Sequence, residues 1–278
     1  MSKVPFITLN NGVQMPQLGF GVWQVADDEA TKAVGTALEA GYRSIDTAAI
    51  YGNEEGTGKA IASSGIARDE LFVTTKLWNT EQGYDSTLRA FDDSLAKLGL
   101  DHVDLYLIHW PVPAKDAYVD TYKAFEKIYA DGRAKAIGVS NFPADHLERL
   151  IGETSVVPAV NQIELHPQLQ QSALRALHAQ HGIATEAWSP LGQGKGLLEV
   201  PTIVAIARKH DRTPAQVVLR WHLQIGNVVI PKSVTPSRIQ ENFDVFGFEL
   251  DADDLAAITA LDEGKRLGPD PAEFNLGS

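Results

Sequence analysis

The chain has 278 residues, of which 44% are hydrophobic and 22% charged, with no cysteine and a formal net charge of −12. That balance belongs to an ordinary globular chain and excludes collagen-like or low-complexity architectures. The missing cysteine removes disulfides, thiolate metal sites and a cysteine nucleophile, and the acidic excess argues against a nucleic-acid or anionic-membrane surface, whose phosphates it would repel.

From the amino terminus, Met1-Ser2-Lys3-Val4-Pro5 lacks the apolar stretch of a signal peptide, and no later run approaches the roughly 18 to 20 apolar residues of a membrane span. Cytoplasmic residence is the expectation. Phe6 to Met15 carries Asn10-Asn11-Gly12, a hairpin turn signal, which predicts a β-hairpin able to plug a barrel floor. Eight β-rich runs follow: Leu18 to Val22, Tyr42 to Ile45, Leu71 to Lys76, Val103 to Ile108, Ala134 to Val139, Ala159 to Ile163, Ala184 to Ala187 and Val228 to Pro231. Between them lie amphipathic helical patterns such as Glu29 to Ala40, stopped by Gly41, and Ser86 to Leu98, stopped by Gly99. The spacing, roughly 25 to 45 residues, is that of a βαβ unit. Val200 to His210 and Pro214 to Gln224 share one strand-to-strand interval, with Thr213-Pro214 as N-cap and N1, so one of the two is an extra helix. No composition shift or Pro/Gly-rich linker divides the chain. The expected fold is therefore α/β, a (β/α)8 TIM barrel with an N-terminal β-hairpin and extra helices, forming one domain over residues 1–278. The competing doubly wound dinucleotide sheet needs Gly-x-Gly-x-x-Gly after its first strand. Gly19-Phe20-Gly21-Val22-Trp23-Gln24 lacks the third glycine, and Gly192-Gln193-Gly194-Lys195-Gly196 fits neither that pattern nor a phosphate loop.

Four ionisable residues stand at or just beyond the ends of apolar runs: Asp46, Tyr51, Lys76 and His109. Parallel strands bring such ends together on one rim. A phenol near neutral pH holds its proton tightly, and a neighbouring ammonium lowers its pKa by stabilising the phenolate. Lys76 is the expected ammonium, Asp46 the carboxylate that keeps it charged, and His109 a neutral donor orienting a carbonyl oxygen. Singly, each would read as a cap, a surface charge or a satisfied histidine; jointly they suit carbonyl reduction. Glu164 and His166 add candidates for a metal site, but without a His-x-His on an early strand or a Glu-x-x-His helix pair no metal is expected. Trp23, Trp78 and Trp110 fall just past strand ends, with Ile50 nearby, and together with His109 are the expected walls of a substrate pocket.

Three motifs resemble those of the aldo-keto reductases. Gly41-Tyr42-Arg43-Ser44-Ile45-Asp46-Thr47-Ala48 followed by Tyr51-Gly52-Asn53-Glu54 is similar to the first, Lys135-Ala136-Ile137-Gly138-Val139-Ser140-Asn141-Phe142 to the second, and Ile230-Pro231-Lys232-Ser233-Val234 continuing through Arg238 and Glu241-Asn242 to the third. Asp46 to Glu55 and Val157 to Pro167 further resemble the bacterial 2,5-diketo-D-gluconate reductases within that family. Thr57 departs from the pattern, which usually has an aliphatic residue there.

The resemblance implies that Asp46, Tyr51, Lys76 and His109 form the catalytic tetrad, with Tyr51 as general acid and a nicotinamide as hydride donor. It also implies that Ser140, Asn141 and Gln162 bond the carboxamide, that Trp188 stacks on the nicotinamide, and that Ser189, Leu191, Gly192, Gln193, Ile230, Lys232, Ser233, Val234, Arg238, Glu241 and Asn242 complete the cofactor site. Charge points to NADPH over NADH, because Lys232, Ser233 and Arg238 surround the Thr235-Pro236 helix start and suit a 2′-phosphate. The short segment after His109, entering a helix by about Tyr118, and the little chain left after Glu263 predict an open, shallow pocket. Small aldehydes, α-dicarbonyls and keto-sugars such as 2,5-diketo-D-gluconate are the expected substrates, reduced by a monomer. A non-catalytic NADP-binding regulatory subunit on the same barrel is the alternative; it would expect an incomplete tetrad or a partner-binding extension.

Overall fold

The computed structural model describes residues 4–278. Strands β1 (Phe6–Thr8) and β2 (Gln14–Pro16) form the antiparallel hairpin around Asn10-Asn11-Gly12. Strands and helices then alternate: β3 (Phe20–Gly21), α1 (Asp27–Ala40), β4 (Ser44–Asp46), α2 (Glu54–Ser63), β5 (Phe72–Leu77), α3 (Tyr84–Leu98), β6 (Val103–Ile108), α4 (Tyr118–Ala130), β7 (Ala134–Ser140), α5 (Ala144–Glu153), β8 (Val160–Glu164), α6 (Ser172–His181) and β9 (Ala184–Trp188). The interval before β10 (Val228–Val229) holds both α7 (Pro201–Lys209) and α8 (Pro214–Gln224), and α9 (Pro236–Phe243) and α10 (Ala252–Thr259) follow. Thr213 caps α8 through a reciprocal pair with Gln216, as its sequence position predicts.

Strands β3 to β10 pair in parallel in chain order. The sheet closes where Leu18 bridges Val229, with the Gly19 N–H donating to the Val229 carbonyl and the Gly21 N–H to that of Pro231. This is the expected (β/α)8 barrel. The two seam strands are shorter than their sequence runs because the chain approaches too closely for regular side chains: a Cβ on Gly19 would stand 2.9 Å from Ser44 Oγ and 3.0 Å from Ile230 Cγ2.

The period of two along each strand sorts residues between barrel interior and helix-facing shell. Phe72, Leu105, Leu107, Ala136, Val160 and Val228 point inward and cluster with Leu9 and Met15 of the hairpin. The hairpin thus plugs the floor, fastened by Asn10 Nδ2 to the Pro158 carbonyl (3.1 Å) and Asn11 Nδ2 to that of Lys135 (2.9 Å). Alternate residues such as Ile45, Val73, Ile163 and Val229 pack outward against the helices. Further along the inward faces, towards the strands' carboxyl ends, stand Asp46, Lys76, Gln162 and Glu186, so an apolar floor carries a polar rim.

Helix α2 lies so close to α3 that a Cβ on Gly58 would come 2.2 Å from the Leu98 carbonyl oxygen. The neighbouring Thr57 is fully buried, and among the described residues its Oγ1 has no partner. An unmet buried hydroxyl costs about 1–3 kcal/mol. Thr57→Val, nearly isosteric, should raise the chemical-denaturation midpoint, with a gain of about 1 kcal/mol; an unchanged or lowered midpoint would show that the hydroxyl is satisfied in solution. Among the described residues no helix is long and apolar enough to cross a membrane.

Candidate active site

Lys76 is the centre of the rim. Its side chain is 0% exposed, and the ammonium uses all three donors: Asp46 Oδ1 at 2.5 Å, the Thr47 carbonyl at 3.0 Å and Tyr51 Oη at 3.4 Å. Lys76 and Asp46 come from adjacent strands, β5 and β4. Tyr51 reaches them from a single 3-10 turn, Ala49–Tyr51, ended by Gly52 in the left-handed region at φ 67°. That turn is held by Asn53, whose Nδ2 donates to the Val22 and Val25 carbonyls (both 2.9 Å) while its Oδ1 accepts from Thr47 Oγ1 (2.7 Å). The His109 ring, just past β6, meets Tyr51 edge-on at 5.7 Å and Trp78 at 5.4 Å. The four residues, drawn from the ends of three strands, therefore converge.

Burial alone would strip the proton from Lys76, but the charge of Asp46, the charge of Tyr51 when ionised and the Asp46 hydrogen bond together raise its pKa above the ordinary value. Burial, reinforced by Lys76, pushes His109 well below the usual imidazole range, so the ring is neutral. Its Nδ1 is buried without a partner among the described residues. Tyr51 corrects the sequence expectation: burial outweighs Lys76, and Asp46 and Glu186 add to it, so the phenol's pKa is raised. The lysine moderates that rise without reversing it.

Two features of the site were not anticipated. Glu186 on β9 is fully buried, and Gln162 Nε2 donates both to its Oε2 (2.9 Å) and to Asp46 Oδ2 (2.9 Å). Its inward parity with Ala184 and Trp188 was the available signal. The second is the segment after Glu263. Glu164, weighed as a metal ligand, accepts from the backbone N–H groups of Leu267 (2.6 Å) and Gly268 (3.0 Å), with His166 Nε2 3.0 Å from Oε1. Burial would push this carboxyl up, but those donors hold it below the ordinary range. The segment continues over the rim: Phe274 packs on Trp110 at 4.3 Å, and the Leu276 carbonyl accepts from Asn79 Nδ2 at 2.8 Å. The short carboxyl-terminal stretch thus crosses the rim and packs on Trp110 and Asn79, which the expectation of an open rim bounded by short loops did not include. Among the described residues no group of three or more His, Cys, Asp or Glu could hold a metal ion.

The aromatic wall is Trp78, His109, Trp110 and Phe274, with Trp188 6.5 Å from Trp110. Trp23 and Ile50 stand at the rim, 43% and 47% exposed. Asn141, with φ at 62°, ties three strands together: Nδ2 donates to the His109 carbonyl (2.9 Å) and Ser140 Oγ (3.1 Å), and Oδ1 accepts from Trp188 Nε1 (2.8 Å). Ser140 Oγ donates to the Gln162 carbonyl. With both Nε2 protons of Gln162 committed, its Oε1 is the atom left for an incoming amide.

After β9 the backbone is left-handed at Ser189, Gly192, Gln193, Gly194 and Gly196. Gln193 Nε2 bonds Ser189 Oγ (2.8 Å), and Lys195 Nζ bonds the Leu267 carbonyl (3.3 Å), joining this loop to the terminal segment; Leu191 packs on the core. Ile230 sits at the barrel seam. Beyond it, Lys232, Val234 and Arg238 are exposed around the start of α9, and among the described residues neither cation forms an ion pair. Ser233 Oγ accepts from the Thr235 N–H. Glu241 is turned to Thr213 Oγ1 (2.8 Å), and Asn242 is buried behind it. An unpaired guanidinium and ammonium beside free helix amides fit an anionic group.

The model of the aldo/keto reductase family matches residues 16–263. The chain is 56% identical to methylglyoxal reductase DkgA of Escherichia coli K12 over 275 residues, 99% of each chain. It is 63% identical to an aldo/keto reductase of Brucella melitensis whose crystal structure superposes with a TM-score of 0.91, covering 94% of this chain and 100% of that one. A variant of Gox0644 solved in complex with NADPH is 54% identical, with a TM-score of 0.94 over 98% of this chain and 99% of that one.

Proposed function

The chain belongs to the aldo/keto reductase family, and from that premise we propose that it reduces small aldehydes, α-dicarbonyls and keto-sugars with NADPH, using Tyr51 as general acid. The observation that carries this reading is the saturated Lys76 ammonium between Asp46 and Tyr51. NADPH, when bound, supplies the hydride.

The chain's own residues supply the proton and the orientation. A carbonyl oxygen set between Tyr51 and neutral His109 accepts a hydrogen bond from each. The raised pKa of Tyr51 keeps the acid fully protonated before reaction. As negative charge grows on the substrate oxygen, the phenolic proton crosses, and the resulting phenolate lies beside the Lys76 ammonium. The ion pair therefore acts mainly in the transition state, where it lowers the barrier. Ser140, Asn141 and Gln162 Oε1 would hold the carboxamide, and Trp188 would back the nicotinamide ring. Trp78, Trp110 and Phe274 exclude water from the reacting carbonyl, with Trp23 and Ile50 at the entrance.

Lys232, Ser233 and Arg238 would hold the 2′-phosphate, while the Ser189 to Gln193 loop and the Ile230, Val234, Glu241 and Asn242 surfaces line the rest of the cofactor. Losing one charge-assisted contact of about 1.5–3 kcal/mol corresponds to roughly ten- to hundredfold in affinity. Arg238→Ala should weaken NADPH by that factor in a fluorescence titration and leave NADH nearly unchanged; equal losses for both would refute the phosphate clamp. The methylglyoxal reductase relatives support an α-dicarbonyl substrate. All four tetrad residues lie in one chain, which supports action as a monomer, and the cytoplasm is the proposed compartment. Following NADPH absorbance with methylglyoxal, 2,5-diketogluconate, nitrobenzaldehyde and simple ketones tests the substrate class; activity with none would overturn it.

A further inference from the structure

We propose that Glu186 is a positioning residue for the Tyr51 acid: held across the Gln162 amide from Asp46, its carboxyl sets the negative charge beneath the Lys76 and Tyr51 pair and so the pH at which Tyr51 releases its proton. This rests on Tyr51 being the acid. Glu186 and Gln162 stand opposite each other on β9 and β8, and one amide nitrogen bridges the two carboxyls at 2.9 Å each. Glu186 is 1% exposed, and among the described residues its Oε1 has no partner.

The charged groups facing it are few. Asp46 comes from β4, Lys76 from β5 and Tyr51 from the turn above, while His109 on the far side is neutral. One ammonium cannot balance two buried carboxylates, so one proton stays with the pair. Burial and the neighbouring Asp46 charge push Glu186 up to about 8. Below that pH Glu186 is neutral, and Asp46 serves Lys76 undisturbed. Above it, the second negative charge raises the pKa of both Tyr51 and Lys76. Tyr51 then keeps its proton further into the alkaline range. Reduction, which needs the phenol, is prolonged there; alcohol oxidation, which needs the phenolate to take the alcohol proton, is delayed.

The test is a pair of kcat–pH profiles, for carbonyl reduction and for alcohol oxidation, in the wild type, Glu186→Gln and Glu186→Asp. Glu186→Gln should move the alkaline midpoints of both reactions down by roughly one unit, the scale of a single nearby charge, and Glu186→Asp should bring them back. Midpoints that coincide with wild type overturn the proposal, as does a uniform fall in kcat at every pH, the mark of a merely structural residue. Should Glu186→Gln fail to fold, infrared spectra of the wild type with 13C-labelled glutamate give the answer directly: a buried protonated carboxyl band at pH 7 that fades through about 8 supports it, and no such band at pH 7 overturns it. Unshifted profiles beside an inactive Tyr51→Phe enzyme would remove the role of Glu186 alone, whereas an active Tyr51→Phe enzyme would remove the acid assignment itself.

Discussion

A Tyr51→Phe enzyme is expected to bind NADPH as the wild type does and to lose roughly 10²- to 10⁴-fold in kcat, the contribution of a positioned general acid. The substitution removes one oxygen. It leaves the ring's edge contact with His109 and the 3-10 turn that carries it, so the pocket keeps its shape. What disappears is the proton donor and the only acceptor through which Lys76 feels the reaction. The loss should therefore fall on kcat, with little change in the NADPH dissociation constant measured by fluorescence quenching. A loss confined to KM would instead mean that Tyr51 only helps to bind the carbonyl.

The second large effect is expected at Asp46. Removing one partner of a buried ion pair leaves an uncompensated charge and typically costs about 3–5 kcal/mol. In Asp46→Asn an amide oxygen can still accept from the Lys76 ammonium, but its nearest negative charge is gone; Glu186 across Gln162 is the remaining carboxylate, and burial, already the largest influence on Lys76, becomes dominant. The sign then reverses. In the wild type the raised Lys76 pKa gives stability that is present below the lysine's unfolded value and lost as pH rises through the folded one. In the variant the folded pKa drops below the unfolded value, so the destabilisation should be full near neutral pH and shrink as pH rises towards the lysine's ordinary value near ~10.4. Urea unfolding at several pH values reads this out. A loss that stays constant with pH would mean that Lys76 remains charged without its carboxylate. Turnover should also fall once pH passes the lowered Lys76 pKa, because a lysine that has shed its proton cannot support the phenolate.

The sequence made the barrel and its rim legible because both depend on local pattern. Apolar runs at βαβ spacing mark the strands, and an ionisable residue where such a run stops is conspicuous: Asp46, Lys76 and His109 each end or follow one. Strand bounds at the seam were less readable, since β3 and β10 are cut short by close backbone approach at Gly19, a matter of three-dimensional closure. Glu186 was hidden for another reason. It lies inside a run, Ala184 to Trp188, where a single glutamate resembles a strand residue facing solvent; only its parity with the inward-facing Trp188 marks it. The terminal segment has no regular period at all. Its course over the rim is fixed by the Glu164 carboxylate and by Phe274 on Trp110, contacts spanning roughly a third of the chain or more. The direction of the Tyr51 shift was likewise beyond sequence, because it is the balance of burial, reinforced by Asp46 and Glu186, against the charge of Lys76.

The most direct measurement is the initial rate of NADPH oxidation with methylglyoxal for the wild type and Tyr51→Phe under identical conditions, with cofactor binding measured on both. The account predicts turnover by the wild type, its near-complete loss in the variant, and the same NADPH affinity in each. Equal rates in the two proteins would contradict it.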